Sequence, residues 1–347
     1  MKAAFLTGIR EIQIRQAPEP EIVKPTDVLI AIEAVGVCGS DMHYYKEGRI
    51  GCQIVEYPWI VGHECAGRVL EVGPEVTRVK PGDRVAIDPL LNCGVCDQCV
   101  GGHMHTCRNQ TFLGCPGQAQ GSLSERLVMP DTCCFPVPDG MTTAQAALAE
   151  PLTISLWAQA LSHQPSKGAK IGILGAGLIG LGVLAACKLA GPCTVYHTDL
   201  LDNRLALARK FGADWTGNAA KLDPVKEILA VEPTGLDIVF ECVGLQETID
   251  QSLQLLKPCC TMVLVGIPIG DRASFDFNQM RRKELRIQNV RRQLKQVPHA
   301  LDLVQAGKID VDAMVTHNFT IDQTQEAFDL VADYGDGVIK AVINVPQ

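Results

Sequence analysis

The stretch KIGILGAGLIGLGVLAACKL, residues 170–189, restricts what this chain can fold into more than any other. An apolar strand, KIGIL, runs into Gly175, Gly177 and Gly180 in the pattern G-x-G-x-x-G, and an apolar helix follows directly. The first glycine permits a tight turn, the second lets the backbone approach a pyrophosphate, and the third lets helix and strand pack closely. Strand and helix signals keep alternating through TVYHTD, NRLALARKFGAD, GLDIVFECVG and TMVLVGIP, so a doubly wound parallel α/β sheet, a Rossmann unit, is expected over residues 153–290.

Asp199 ends the strand after the glycines, 19 residues beyond Gly180, where a carboxylate accepts from adenosine ribose hydroxyls and repels a 2′-phosphate. That favours NAD over NADP, although Arg204 nearby could pair with such a phosphate. The cofactor-binding set is read as Gly175, Gly177, Leu178, Ile179, Gly180, Asp199, Arg204, Val243 and Gly266.

The first 152 residues have a different grain. VLIAIEAVGVC, AGRVLEVG and PGDRVAI are short, Val- and Ile-rich, and bounded by Gly or Pro, which reads as a β-rich domain with long loops. The tail 291–347 offers an amphipathic helix HALDLVQAGKI, a second helix DQTQEAFDLVAD and a strand KAVINV, too little for a core of its own, and is assigned back to the first domain. The 347 residues suffice for two such domains.

Thirty-one basic against 39 acidic residues give a net charge of -8 without long like-charge blocks, which argues against a nucleic-acid footprint. No segment approaches the roughly 20 apolar residues of a membrane span, and MKAAFLTGIREIQIRQ is too polar for a secretory signal, so a cytoplasmic protein is expected. The fifteen cysteines then read as metal ligands and small buried hydrophobes rather than a disulfide framework.

Four of them, Cys93, Cys96, Cys99 and Cys107, form C-x2-C-x2-C-x7-C, a spacing that closes a tetrahedral thiolate site and marks a structural zinc lobe at about 90–110. His103 and His105 fall in the last gap and are read as exposed loop residues. Cys38, in VGVCGSDMHYY, and His63 with Glu64, in VGHECAG, offer thiolate, imidazole and carboxylate from separate segments, the looser ligand set that a catalytic zinc with an open position uses.

The run G-H-E-x2-G-x5-G-x2-V from Gly62 to Val76, Cys38 before it, the cysteine lobe after it and the glycine fingerprint together resemble the zinc-containing medium-chain dehydrogenase/reductase family over essentially the whole chain. The resemblance implies a GroES-like catalytic domain split around a Rossmann domain, with catalysis in the cleft between them. In ALAEPLTISLWA, Glu150 stands where polyol dehydrogenases carry a glutamate and alcohol dehydrogenases a third metal-binding cysteine. The resemblance makes Cys38, His63 and Glu64 direct ligands, with Glu150 holding a water at the metal or taking Glu64's place; the sequence leaves open which carboxylate touches metal.

Ser40 and His43 match the family's proton-relay positions, and Tyr44 and Arg291 match substrate contacts of the polyol branch. Phe112 resembles a position lining the cleft. Arg292 departs from the tyrosine usual there, and a second guanidinium could favour a carboxylate or phosphate on the substrate. The implied activity is hydride transfer from a secondary alcohol of a polyol, cyclitol or sugar acid to NAD, giving a ketose-like ketone. A threonine-type or simple secondary-alcohol dehydrogenase and a non-catalytic dinucleotide-binding protein are the competing readings. A homotetramer, or a dimer, is expected by resemblance, with KPCCTMVLVGI as the strand that would pair across a two-fold axis.

Overall fold

The computed structural model describes residues 1–164 and 168–346. The chain divides into two units, Met1–Pro151 with Leu294–Gln347, and Leu152–Gln293.

The second unit is built on six parallel strands in the order Trp215–Asn218, Cys193–Asp199, Ala169–Leu174, Leu236–Glu241, Leu256–Leu264, Arg286–Asn289. Apolar runs such as LDIVFE are buried on both faces, as parallel strands covered by helices require. Helix Leu178–Ala190 starts at Gly177 and buries Leu181, Val183, Leu184 and Cys187. The strand expected at the free edge, within KPCCTMVLVGI, is instead internal: Leu256–Leu264 is hydrogen-bonded on both sides. The edge belongs to Arg286–Asn289, whose polar sequence RIQN gave no strong strand signal.

In the first unit the ten-residue strand Asp27–Gly36 is central. Strand Glu64–Val72 pairs along one edge of it; Arg126–Pro130 takes the first half of the other edge, and Lys340–Asn344 takes the second half. Arg84–Ile87, Cys134–Pro136 and Val315–Thr320 complete the seven-stranded sheet. Its core holds Ile30, Ile32, Val35, Leu113, Met129, Phe328 and Ile343. Helix Val297–Gln305 lies earlier than the HALDLVQAGKI pattern suggests, because Pro298 suits a first helical turn and Gly307, at φ +62°, follows its end.

Two registers matter for function. Gly36 lies opposite Glu64 on one side and opposite Val342 on the other. Directly opposed residues share a face of a sheet, as do residues two apart on a strand, so Glu64, Val342 and Lys340 project on the same side around a residue without a side chain.

Candidate active site

Cys38 follows Asp27–Gly36 by two residues and caps helix Gly39–Glu47. Its amide donates to Asp41 Oδ2 at 3.0 Å. The other oxygen of the same buried carboxylate accepts from Gly62 N at 3.3 Å and lies 3.6 Å from His63 Nδ1. One aspartate thus ties the Cys38 turn to the His63 loop. A potential ligand atom from each of Cys38, His63 and Glu64 lies within 4.8 Å of the other two. Asp41 was absent from the sequence candidates; its signal is the carboxylate at the third helical position after Cys38, where it closes a capping box.

Burial, and then the charge of Glu64, push the Cys38 thiol well above its ordinary range, while a hydrogen bond from Ser40 Oγ to Cys38 Sγ at 3.3 Å works the other way. Burial likewise raises the Asp41 carboxyl, with His63 opposing, and lifts Glu150 to about 7. Lys340, 4% exposed, is in ion-pair contact with Glu64, 1% exposed. Apart from that ammonium, Glu64 Oε2 is buried without a hydrogen-bond partner among the described residues. Thiol, imidazole and carboxylate gathered in a buried pocket form a donor set that fits a borderline-soft divalent ion such as zinc.

Cys93, Cys96, Cys99 and Cys107 bring their four sulfurs within 4.8 Å of one another, and no cysteine among the described residues is bridged. Amides of Val95 and Cys96 stabilise the Cys93 thiolate and lower its pKa to about 6; amides of Arg108 and Cys99 lower Cys96. Arg108 and Asp97 pair across the lobe at 2.5 Å. His103 is exposed, but His105 is half-buried in the turn Met104–Thr106 rather than exposed as expected.

In the second unit, consecutive residues of Cys193–Asp199 clamp the glycine turn. His197 is in contact with Gly175 O through Nε2 at 3.0 Å, Gly175 N donates to Thr198 O at 2.8 Å, and Ala176 N donates to Asp199 Oδ2 at 2.7 Å. Since a carbonyl only accepts, His197 carries its proton on Nε2; burial depresses its pKa to about 4, which keeps it neutral. His197 also escaped the sequence reading, being one polar residue in an apolar strand. Arg204 Nη1 is 4.0 Å from Asp199 Oδ2 and would lie 3.9 Å from a Cβ on Gly177, so it borders the fingerprint. Leu178 and Ile179 open the helix. Val243 touches the position a Cβ on Gly175 would take, and Gly266 packs against Gly244.

Comparison with known proteins fits this geometry. Residues 24–139 match the model of the alcohol dehydrogenase GroES-like domain, and residues 179–306 match that of zinc-binding dehydrogenases. A sorbitol dehydrogenase of Bacillus subtilis is 34% identical, covering 99% of this chain and 97% of the relative. An L-idonate 5-dehydrogenase of Vitis vinifera is 35% identical, covering 99% and 94%. The chain belongs to the zinc-containing medium-chain dehydrogenases, in their polyol branch. The solved structure of ECK1772 from Escherichia coli, an oxidoreductase of unknown specificity, matches this dehydrogenase with a TM-score of 0.91 at 34% identity, covering 100% of this chain and 99% of that one.

The remaining site candidates of the dehydrogenase are placed as follows. Glu150 is buried in the first turn of helix Ala149–Leu161. His43 is half-buried on Gly39–Glu47. Tyr44 is buried, and its hydroxyl lies 3.3 Å from Gln53 Oε1 and 3.6 Å from Cys115 Sγ. Phe112 packs on the His63 ring at 5.3 Å between centroids. Arg291 is exposed just beyond Arg286–Asn289, and Arg292 is half-buried with a φ of +52°.

Proposed function

We propose that this dehydrogenase oxidises a secondary hydroxyl of a polyol or related sugar alcohol to a ketone, with NAD as acceptor. The observation that carries the reading is the convergence of Cys38, His63 and Glu64, with Glu150 buried in the same unit. Cys38, His63 and Glu64 would hold a zinc ion, which would supply a lowered pKa for the substrate hydroxyl, and a bound nicotinamide would supply the acceptor for the carbon-bound hydrogen as hydride. The protein's own residues do the rest. Asp41 fixes the His63 ring, and Ser40 donates to the Cys38 sulfur, the outer contacts that orient ligands. Glu150 holds a water or takes a ligand place as substrate enters, and Ser40 and His43 carry the proton outward. Tyr44, Phe112 and Arg291 are the substrate contacts. Cys93, Cys96, Cys99 and Cys107 hold a second, structural zinc. Asp199, with Arg204 beside it, takes the ribose hydroxyls and favours NAD.

Sugar acids form the second substrate reading, supported by Arg292 and by the relative that is an L-idonate 5-dehydrogenase. The test is NADH and NADPH formation by the metal-replete enzyme over polyols, cyclitols, sugar acids, threonine and short secondary alcohols, with and without a strong chelator. Chelator-sensitive NAD reduction with polyols is expected; turnover confined to threonine or simple alcohols, or unaffected by metal removal, would overturn the proposal.

A cytoplasmic homotetramer, or dimer, belongs to the same reading, with no nucleic-acid or membrane partner. No helix among the described residues is long and apolar enough to cross a membrane, and the edge strand Arg286–Asn289 offers a pairing surface. Light scattering is expected to give a multiple of the 37.5 kDa chain mass, and a monomer mass would remove this part.

A further inference from the structure

Lys340 comes from the far end of the sequence, yet its ammonium meets the cluster of Cys38, His63 and Glu64. Sheet register puts it there. Gly36 leaves open the space into which Glu64 and Lys340 both reach: a Cβ on Gly36 would lie 2.1 Å from Glu64 Oε2 and 3.0 Å from Lys340 Cε. Nζ also donates to Val37 O at 2.8 Å, the carbonyl preceding Cys38. The lysine therefore links the two segments that carry the cluster, and it is buried, which an ammonium tolerates only when paired.

We propose that Lys340 is a positioning residue that competes with the metal for the Glu64 carboxylate, holding the ion less tightly and leaving the site with one more positive charge. The inference rests on Cys38, His63 and Glu64 being ligands. Thiolate and carboxylate together neutralise a divalent ion. A buried ammonium against the same carboxylate shares its charge between two cations, so the ion keeps more of its attraction for a substrate hydroxyl.

The test measures metal binding rather than turnover. Zinc affinities of the full-length protein are read by competition with a chromophoric chelator, the d–d absorption is read after cobalt substitution, and the apo-protein's melting temperature is recorded. Lys340→Met is expected to bind one of two zinc ions about tenfold more tightly or better, because a repelling charge a few ångströms away is gone. Its cobalt bands should shift and its apo form should melt lower, Glu64 having lost its counter-ion. Lys340→Arg keeps the charge and grips a carboxylate bidentately, so its affinity should equal or fall below that of the parent. This variant carries the test if Lys340→Met does not fold. Affinity and cobalt spectrum unchanged in Lys340→Met, or tighter zinc in Lys340→Arg, would overturn the inference. A parent protein that binds only one zinc would instead remove the ligand reading on which it rests.

Discussion

Replacing Cys38 by serine should lower turnover by more than about 100-fold while leaving a folded protein that still binds NAD. The lower bound follows from metal sites in general, where losing an outer-sphere partner already costs about 10–100-fold in metal affinity or activity. Cys38 sits at the N-cap of Gly39–Glu47, a position serine accepts readily, so the helix itself is not the casualty. Cys99→Ser should behave in the opposite way. Its sulfur belongs to the lobe whose other three thiols come from short loops, with only the turn Met104–Thr106 and the four-residue helix Asp97–Val100 for regular structure, so a metal held there would supply much of the local stability. That variant should lose one zinc and melt at lower temperature before any loss in kcat per folded molecule. Steady-state kinetics, zinc content and thermal melts of the two proteins separate the sites, and full activity in Cys38→Ser would end the mechanistic reading.

Gly180→Ala should raise KM for NAD at least about tenfold and cost about 1–3 kcal/mol of stability, as overpacking a close contact does. The added Cβ would stand 1.9 Å from Gly175 O and 3.3 Å from His197 Nε2. The first of these neighbours is backbone, so no side-chain rotation relieves it. Helix Leu178–Ala190 must back away from the turn, and the contact between His197 and Gly175 O opens with it. Gly270→Ala is the control, because its Cβ meets only Arg272 O at 3.8 Å. NAD titration and chemical denaturation of both variants decide the matter; an unaltered NAD affinity in Gly180→Ala would show that the turn tolerates a wider spacing.

How far the sequence can be read follows from the range of each interaction. The glycine fingerprint is local: turn, helix start and strand end are contiguous, so spacing alone carries the geometry. The same holds for Cys93, Cys96, Cys99 and Cys107, all within fifteen residues. Asp41 is only half legible, because a carboxylate early in a helix is common as a cap and its second contact, to His63, crosses to another loop. Lys340 could not be found that way. Its partner is fixed by the register of Lys340–Asn344 on Asp27–Gly36, and nothing near residue 340 distinguishes it from a solvent-facing lysine. The edge of the parallel sheet is hidden from the sequence for a related reason, since RIQN pairs through its backbone and carries little apolar pattern.

The strand Lys340–Asn344 also bears on the order in which the molecule can be assembled. Its pairing with Gly36 joins points roughly 300 residues apart, a closure whose entropic penalty grows only slowly with length, by about 0.6 kcal/mol per doubling. The continuous unit Leu152–Gln293 needs no such closure and can condense from its own neighbours. During synthesis the nucleotide-binding half can therefore be complete while the sheet that presents Cys38 and Glu64 still lacks one of its strands. Metal captured before that strand docks would meet a carboxylate without its ammonium, so a nascent chain and a finished one need not hold zinc with the same strength.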